Sequence, residues 1–212
     1  MSALFFDLDG TLTDSAPGIV RCVNFGLTAV GCEESPEAQI RALIGTPLSA
    51  IYEALVPGCD EAFVDRAVAA YRQRFDDVGM FENSLFPGVI EALQAFRGHG
   101  YSLTVVTSKV AVAAQRVIEH FEIAEFFAAV HGPGLDRRTS QKSELLGRAL
   151  AAAAGPRPRM AMFGDRKEDM AAAAHHGVRG IGAAWGYGAA GELNQATLVA
   201  RTWPDAVACV LS

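Results

Sequence analysis

The chain opens with a short apolar run that ends at two acidic residues. Residues 3–6 are alanine, leucine and two phenylalanines, and Asp7 and Asp9 follow before a Gly-Thr turn at residues 10–11. A short apolar run rich in aromatic residues and closed by a turn is typical of a buried β-strand. The pattern therefore predicts a strand over residues 3–6 that carries both carboxylates at its carboxyl end.

Residues 16 to about 80 show a helical hydrophobic period and no strand pattern. Apolar side chains recur three and four positions apart after Pro17, after Pro36 and after Pro47, and again over residues 62–75. Proline is accepted in the first turn of a helix, so these positions are suitable helix starts. We predict a run of helices inserted between the first strand and the rest of the chain.

From residue 86 onward, helix and strand patterns alternate. Such alternation predicts a parallel sheet with helices packed on it, and thus an α/β fold with a Rossmann-like three-layer core. The predicted strands are residues 102–106, 126–130, 159–163, 178–183 and 197–199, and the predicted helices are residues 88–97, 110–121, 141–154, 167–176 and 203–211.

Three predicted strands end in polar residues, at Asp7, Thr107 and Asp165. The carboxyl ends of strands in an open parallel sheet meet at one crevice, so these side chains are expected to share a site. Asp165 and Asp169 are four residues apart on the first turn of a helix, where they face the same side but could also simply cap the helix. With Asp7 and Asp9, they form a set of hard oxygen ligands that suits Mg²⁺.

The stretch from Asp7 to Ser15, Asp-Leu-Asp-Gly-Thr-Leu-Thr-Asp-Ser, resembles the first signature of the haloacid dehalogenase superfamily in its phosphatase form. The resemblance implies that Asp7 is a nucleophile and Asp9 a general acid and base. Residues 164–169 resemble the last signature, which implies that Asp7, the backbone carbonyl of Asp9 and Asp165 bind the metal, while Asp169 binds it directly or through water.

Two further stretches resemble the remaining signatures. Thr107 matches the residue that hydrogen-bonds the transferring phosphoryl group, and its hydroxyl with the amide of Ser108 at the start of a helix would form a small anion site. Thr107 could alternatively be an ordinary helix cap. Lys142 matches the lysine that neutralises phosphoryl charge, although many relatives have proline where this chain has Ser143. The chain has only three lysines, at 109, 142 and 167, and each stands beside one of these stretches.

The resemblance implies a catalytic core of residues 1–15 and 83–212 and a helical cap of residues 16–82. It also implies Mg²⁺-dependent hydrolysis of a small phosphorylated metabolite. The layout resembles phosphoglycolate phosphatase, whereas residues 164–167 together with Trp185-Gly186-Tyr187-Gly188 resemble nucleotidases or broad-specificity phosphatases. The glycines of the Trp-Gly-Tyr-Gly stretch permit close backbone approach, and the stretch could contact the cap or the leaving group, or be a structural turn.

Other chemistries of the superfamily can be weighed from the same residues. A dehalogenase needs neither magnesium nor the second aspartate, so Asp9 argues against it. A phosphonatase-like enzyme uses a cap lysine, and residues 16–82 contain none. A sugar phosphomutase shares the cap and the core residues, and Thr11 favours a phosphatase only weakly. A catalytically silent sensor of phosphorylated metabolites is expected to have lost a core residue, and none is lost.

Composition limits the partners and the compartment. The 212 residues suit one ordinary domain with an insertion, and the formal net charge of −6 gives no general attraction for nucleic acid or anionic membranes. No basic leader precedes the first strand, and no apolar run approaches the roughly 18 residues that span a bilayer. The four cysteines lack the paired spacing of a zinc site or disulfide framework, so we expect a cytoplasmic protein.

Overall fold

The computed structural model describes residues 2–134, 141–189 and 191–211. The chain forms two compact units, Met1–Thr13 with Leu85–Ser212, hereafter the core unit, and Asp14–Ser84, hereafter the helical unit. We predicted the divisions after residues 15 and 82, and the role of the helical unit as a cap stays a prediction. No helix among the described residues is long and apolar enough to cross a membrane.

Eight strands and nine α-helices lie in the described residues. The strands are β1 (Ala3–Phe6), β2 (Thr13–Asp14), β3 (Ser84–Leu85), β4 (Ser102–Val106), β5 (Phe127–His131), β6 (Ala161–Gly164), β7 (Arg179–Ala183) and β8 (Leu198–Ala200). The helices are α1 (Ala16–Ala29), α2 (Glu37–Leu43), α3 (Leu48–Leu55), α4 (Glu61–Asp77), α5 (Val89–Gly98), α6 (Ala111–His120), α7 (Lys142–Ala152), α8 (Lys167–His176) and α9 (Trp203–Leu211).

The core unit is built on a six-stranded sheet in the order β5-β4-β1-β6-β7-β8. Every neighbouring pair of these strands is parallel. All four residues of β1 are buried, as the apolar run at the start of the sequence predicts for a central strand of a parallel sheet. The predicted α/β fold with a parallel sheet is therefore confirmed.

Helices cover both faces of the sheet because successive strand residues point to opposite sides. Phe5 packs in one buried cluster with Met162 of β6 and with apolar residues of α7 and α8. The next residue, Phe6, stacks on Phe163 with ring centroids 4.7 Å apart, and its ring lies 6.0 Å from Phe96 of α5. The result is the expected three-layer arrangement of helices, sheet and helices.

The helical unit contains α1 to α4 and is held together by its own contacts. The hydroxyl of Tyr52, which is fully buried, donates to the carbonyl of Val23 in α1 at 3.3 Å. Glu82, near the end of the unit, accepts from Arg74 of α4 at 2.7 Å and from Arg21 of α1 at 2.9 Å. These partly exposed ion pairs join the end of the unit to its first and last helices.

Candidate active site

Three adjacent strands carry the predicted polar residues to one edge of the sheet. Asp7 follows β1, Thr107 follows β4 and Asp165 follows β6, and β1 lies between the other two. The ladder continues past β1, since the amide of Asp7 donates to the carbonyl of Phe163 at 2.9 Å. All three polar side chains are buried, so the sheet holds them in a low-dielectric environment.

Three of these acids form a tight buried cluster. One carboxylate oxygen from each of Asp7, Asp165 and Asp169 lies within 4.8 Å of the other two. Burial raises the pKa of Asp165 to about 8, and the neighbouring charges of Asp7 and Asp169 add to the shift. Burial raises the pKa of Asp169 as well, although Lys142 opposes this shift. Crowded carboxylates of this kind are stabilised by a cation, and the oxygen donor set fits a divalent metal ion.

Lys142 supplies a fixed positive charge to the same cluster. Its Nζ lies 2.8 Å from Oδ1 of Asp7 and 2.8 Å from Oδ1 of Asp169, and it donates to the carbonyl of Val106 at 3.2 Å. Burial disfavours the charged ammonium, but the two carboxylates outweigh burial and hold the pKa of Lys142 above its usual value. Ser143, at the position where many relatives have proline, lies in the first turn of α7, a place that accepts either residue.

Asp9 is separated from this cluster and has its own lysine. Oδ2 of Asp9 lies 2.8 Å from Nζ of Lys109, and both side chains are nearly buried. Among the described residues, the group of metal-compatible carboxylates does not include Asp9. Sequence reasoning noted Lys109 only as one of three lysines and gave it no role. The scarcity of lysine was the one signal that could have identified it.

Thr107 holds the turn that leads to Lys109. Its Oγ1 accepts a hydrogen bond from the amide of Lys109 at 3.1 Å, so the hydroxyl proton stays available to an acceptor. Helix α6 begins only at Ala111, so Thr107 is not its N-cap. Ser108 consequently lies in the turn before the helix, and its amide is not part of the helix terminus as we had expected. Its part in phosphate binding stays a prediction.

The Trp-Gly-Tyr-Gly stretch packs directly on Asp165. The amide of Tyr187 donates to Oδ2 of Asp165 at 2.7 Å. A Cβ on Gly186 would collide with the side chain of Asp165 and with the carbonyl of Gly10, and a Cβ on Gly188 would collide with the carbonyl of Asp165. The glycines are therefore needed because the backbone runs against a site acid. The sequence indicated close approach here but not the residue that is approached.

The turn after β1 is tied to the same region. The hydroxyl of Thr11 lies 3.4 Å from Oδ1 of Asp165, and the carbonyl of Thr11 accepts from the indole nitrogen of Trp185 at 3.0 Å. The structure thus clusters Asp7, Asp165 and Asp169, with Lys142 in contact with Asp7 and Asp169, and places Asp9 and Thr107 beside Lys109. The catalytic, phosphate-binding and metal-binding roles of these residues stay predictions.

Comparisons with known proteins agree with this layout. The family model described as haloacid dehalogenase-like hydrolase matches residues 4–183. A 5'-nucleotidase from Pseudomonas aeruginosa is 39% identical over 190 residues, covering 90% of this chain and 86% of that protein. The tyrosine-protein kinase PtkA from Mycobacterium tuberculosis is 35% identical over 200 residues, covering 94% of this chain and 67% of that protein.

Further relatives are phosphatases by name. A phosphoglycolate phosphatase from Caulobacter vibrioides is 30% identical over 190 residues, covering 88% of this chain and 80% of that protein. Among solved structures, a predicted phosphatase from Clostridium acetobutylicum superposes with a TM-score of 0.91 at 31% identity, covering 99% of this chain and 98% of that one. The chain therefore belongs to the haloacid dehalogenase-like hydrolases, as its signatures indicated, and is an enzyme of that family.

Proposed function

We propose that this protein is a Mg²⁺-dependent phosphate monoester hydrolase that acts through an aspartyl-phosphate on a small phosphorylated metabolite, similar to phosphoglycolate phosphatase. The observation that carries the proposal is the buried cluster of Asp7, Asp165 and Asp169, with the ammonium of Lys142 in contact with two of its members. A nucleophilic carboxylate, hard oxygen ligands and a fixed cation are what phosphoryl transfer requires.

The metal fits the residues that are present. Asp7, Asp165 and Asp169 offer carboxylate oxygens close enough to share one ion, and the raised pKa of Asp165 reflects its burial and the neighbouring charges of Asp7 and Asp169, which a cation would offset. We propose that the backbone carbonyl of Asp9 completes the protein ligands. When bound, Mg²⁺ supplies charge neutralisation for the phosphoryl oxygens and keeps the site ordered.

The chain's own residues then divide the work of the reaction. Asp7 forms a bond to phosphorus as the bond to the leaving oxygen breaks, and Asp9 as an acid gives its proton to that oxygen to release an alcohol. A water then attacks phosphorus while Asp9, now a carboxylate, takes a proton from it, and the bond between Asp7 and phosphorus breaks to release inorganic phosphate. Lys142 and Thr107 hold the phosphoryl oxygens through charge and a hydroxyl donor.

A second candidate substrate class is the nucleoside monophosphates. It is favoured by the 39% identical relative named as a 5'-nucleotidase, and by the resemblance of the Trp-Gly-Tyr-Gly stretch to nucleotidases or broad-specificity phosphatases. The core residues are the same for both readings, so we infer that residues of the helical unit choose between phosphoglycolate, nucleotides and a broader set of esters. A cytoplasmic location and the absence of nucleic acid and membrane partners stay predictions.

The test is release of inorganic phosphate from phosphoglycolate, nucleoside monophosphates, sugar phosphates and 4-nitrophenyl phosphate, with Mg²⁺ and with EDTA. We expect Mg²⁺-dependent turnover, and the Asp7→Asn variant should lose it by about a thousandfold or more because the nucleophile is gone. The matched control is Asp205→Asn, the same change at an exposed position of α9, which should leave turnover unchanged.

The outcomes separate the alternatives. If the wild type releases no phosphate from any ester, the phosphatase proposal is wrong, and a sugar phosphomutase or a phosphometabolite sensor becomes the better reading. If Asp7→Asn keeps its activity, the aspartyl-phosphate is wrong even though the enzyme is a phosphatase. The preferred ester decides between the phosphoglycolate and nucleotide readings.

A further inference from the structure

Two lysines contact different members of the four site acids. Lys142 lies against Asp7 and Asp169, whereas Lys109 lies 2.8 Å from Asp9. Lys109 comes from the turn after β4 and Lys142 from the start of α7, so the two cations reach the acids from different elements. The proposed mechanism uses Lys142 but leaves Lys109 without a task.

The surroundings of Asp9 show what Lys109 does for it. Oδ1 of Asp9 is buried and has no hydrogen-bond partner among the described residues, while Oδ2 faces the ammonium of Lys109. A buried carboxylate oxygen without a hydrogen-bond donor loses its hydration and gains no contact that would orient the side chain. The ammonium of Lys109 is therefore the contact that fixes the direction of this carboxylate.

Lys109 is itself held in place by the site. Its amide donates to Oγ1 of Thr107 at 3.1 Å, and Thr107 directly follows β4 in the buried sheet. The side chain of Lys109 is only 10% exposed, so its ammonium does not sample solvent freely. A rigid strand, a closed turn and a nearly buried side chain together present the charge to Asp9.

We propose that Lys109 is a positioning residue that holds the carboxyl group of Asp9 apart from the cluster of Asp7, Asp165 and Asp169, where it exchanges protons with the leaving group and with water. This inference rests on the proposed phosphatase function. Without Lys109, the Asp9 side chain is free to rotate, and the proton no longer arrives at the leaving oxygen as the bond to phosphorus breaks. The rest of the machinery, including Asp7 and Lys142, stays in place.

A leaving group that departs as a stable anion does not need this proton, whereas a more basic one does. The test compares 4-nitrophenyl phosphate with phenyl phosphate, which have similar shapes but differ in leaving-group basicity. Single turnovers with enzyme in excess over ester and with saturating Mg²⁺ report the first phosphoryl transfer alone. The variants are Lys109→Met, Lys109→Arg and the control Arg159→Met, which removes a positive charge from an exposed side chain in the turn before β6, at the end of that strand opposite Asp165.

Proton donation by a general acid raises a reaction rate by roughly 10² to 10⁴-fold. Loss of the positioning of Asp9 should therefore slow the turnover of phenyl phosphate by Lys109→Met by about 10 to 100-fold. On 4-nitrophenyl phosphate the loss should stay within about threefold, because protonation is not needed there. Lys109→Arg keeps a cation beside Asp9 and should recover most of the rate. Arg159→Met should match the wild type on both esters, and inhibition by inorganic phosphate should be unchanged in every variant.

Three results would overturn the inference. Equal losses on both esters would show a general structural role, an unchanged rate would show no role, and weaker inhibition by inorganic phosphate would make Lys109 a phosphate-binding residue instead. A folded wild type that turns over neither ester contradicts the proposed phosphatase function and, with it, this inference. Thermal unfolding of each variant identifies any variant that is misfolded. If Lys109→Met is misfolded, Lys109→Arg provides the test, because its smaller rate loss must again be greater on phenyl phosphate than on 4-nitrophenyl phosphate.

Discussion

Lys142 should be the most sensitive point of the site for stability. Replacing it with methionine removes the charge but keeps a side chain of similar length. The change leaves Asp7 and Asp169, both buried, without the ammonium that lies 2.8 Å from each. It also leaves the third acid, Asp165, beside two carboxylates whose charge is no longer offset. The folded state should suffer much more than the unfolded one, in which all of these groups are hydrated.

The size of the effect follows from the burial of the pair. Removing one partner of a buried ion pair costs roughly 3 to 5 kcal/mol, because the remaining charge stays buried. For a chain of this length, 1 kcal/mol corresponds to a shift of about 2 to 4 °C in Tm. We therefore expect Lys142→Met to lower the Tm by about 6 to 20 °C in EDTA at pH 8. The exposed control, Lys167→Met, should change the Tm by about 2 °C or less.

The loss should depend on pH in a definite direction. Burial already raises the pKa of Asp165 to about 8 and raises that of Asp169, and without Lys142 the pKa of Asp169 rises further. An acid with a raised pKa in the folded state keeps its proton while the unfolded chain has lost it, so stability falls as pH rises from about 4 toward the folded pKa. The Tm deficit of Lys142→Met should thus be larger at pH 8 than at pH 5.5.

The assay is thermal unfolding followed by circular dichroism in EDTA at both pH values. Equal Tm values for Lys142→Met and the wild type at pH 8 would refute the buried ion-pair reasoning. A deficit that shrinks as pH rises would refute the assignment of raised pKa values to the acids. The first result would also mean that Lys142 does not serve as the cation of this cluster.

Two further predictions concern the aspartates that we propose bind Mg²⁺. Gly186→Ala should lower the Tm by about 2 to 12 °C, since overpacking costs roughly 1 to 3 kcal/mol and a Cβ there meets Asp165 and the rigid carbonyl of Gly10. Gly98→Ala, at the open end of α5, should be neutral or stabilising, and equal effects at both glycines would contradict the steric argument. Mg²⁺ should raise the Tm of the wild type more at pH 8 than at pH 6, because protons compete with the ion for Asp165. At 100 times its Kd, Mg²⁺ should add about 3 kcal/mol to the free energy of unfolding. Asp165→Asn should lose most of this increase, and an equal increase in that variant would contradict a metal site at this acid.

The fold could be predicted from the sequence because it depends on patterns that repeat over whole elements. The bounds predicted for β1, β4, α8 and α9 agree with the structure residue for residue. Where prediction and structure differ, a local turn is responsible. For example, β6 begins at Ala161 rather than at residue 159, because residues 157–159 form a turn of 3-10 helix. Hydrophobic period does not distinguish such a turn from the first residues of a strand.

The sequence predicts the placement of site residues only where strand topology determines it. Asp7, Thr107 and Asp165 follow three strands, and a parallel sheet brings such ends together. The contact of Lys109 with Asp9 joins residues 100 positions apart through side-chain direction, which no periodicity encodes. The same is true of Tyr187, whose contribution is a backbone amide and hence independent of its side-chain type.

Four aspartates of identical intrinsic chemistry acquire different surroundings in this site, and that difference is what the proposed mechanism needs. Asp7, Asp165 and Asp169 crowd together, with the ammonium of Lys142 against Asp7 and Asp169, a setting that favours a divalent cation. Asp9 stands outside that group against Lys109, with one oxygen buried and without a hydrogen-bond partner among the described residues. Pairs of carboxylates that an active site places in unlike environments can serve as nucleophile and as proton carrier at the same pH. If Lys109→Met and Lys142→Met impaired the enzyme in the same way on both esters, this division of the acids would be wrong, because one lysine is proposed to act on proton delivery and the other on the phosphoryl group.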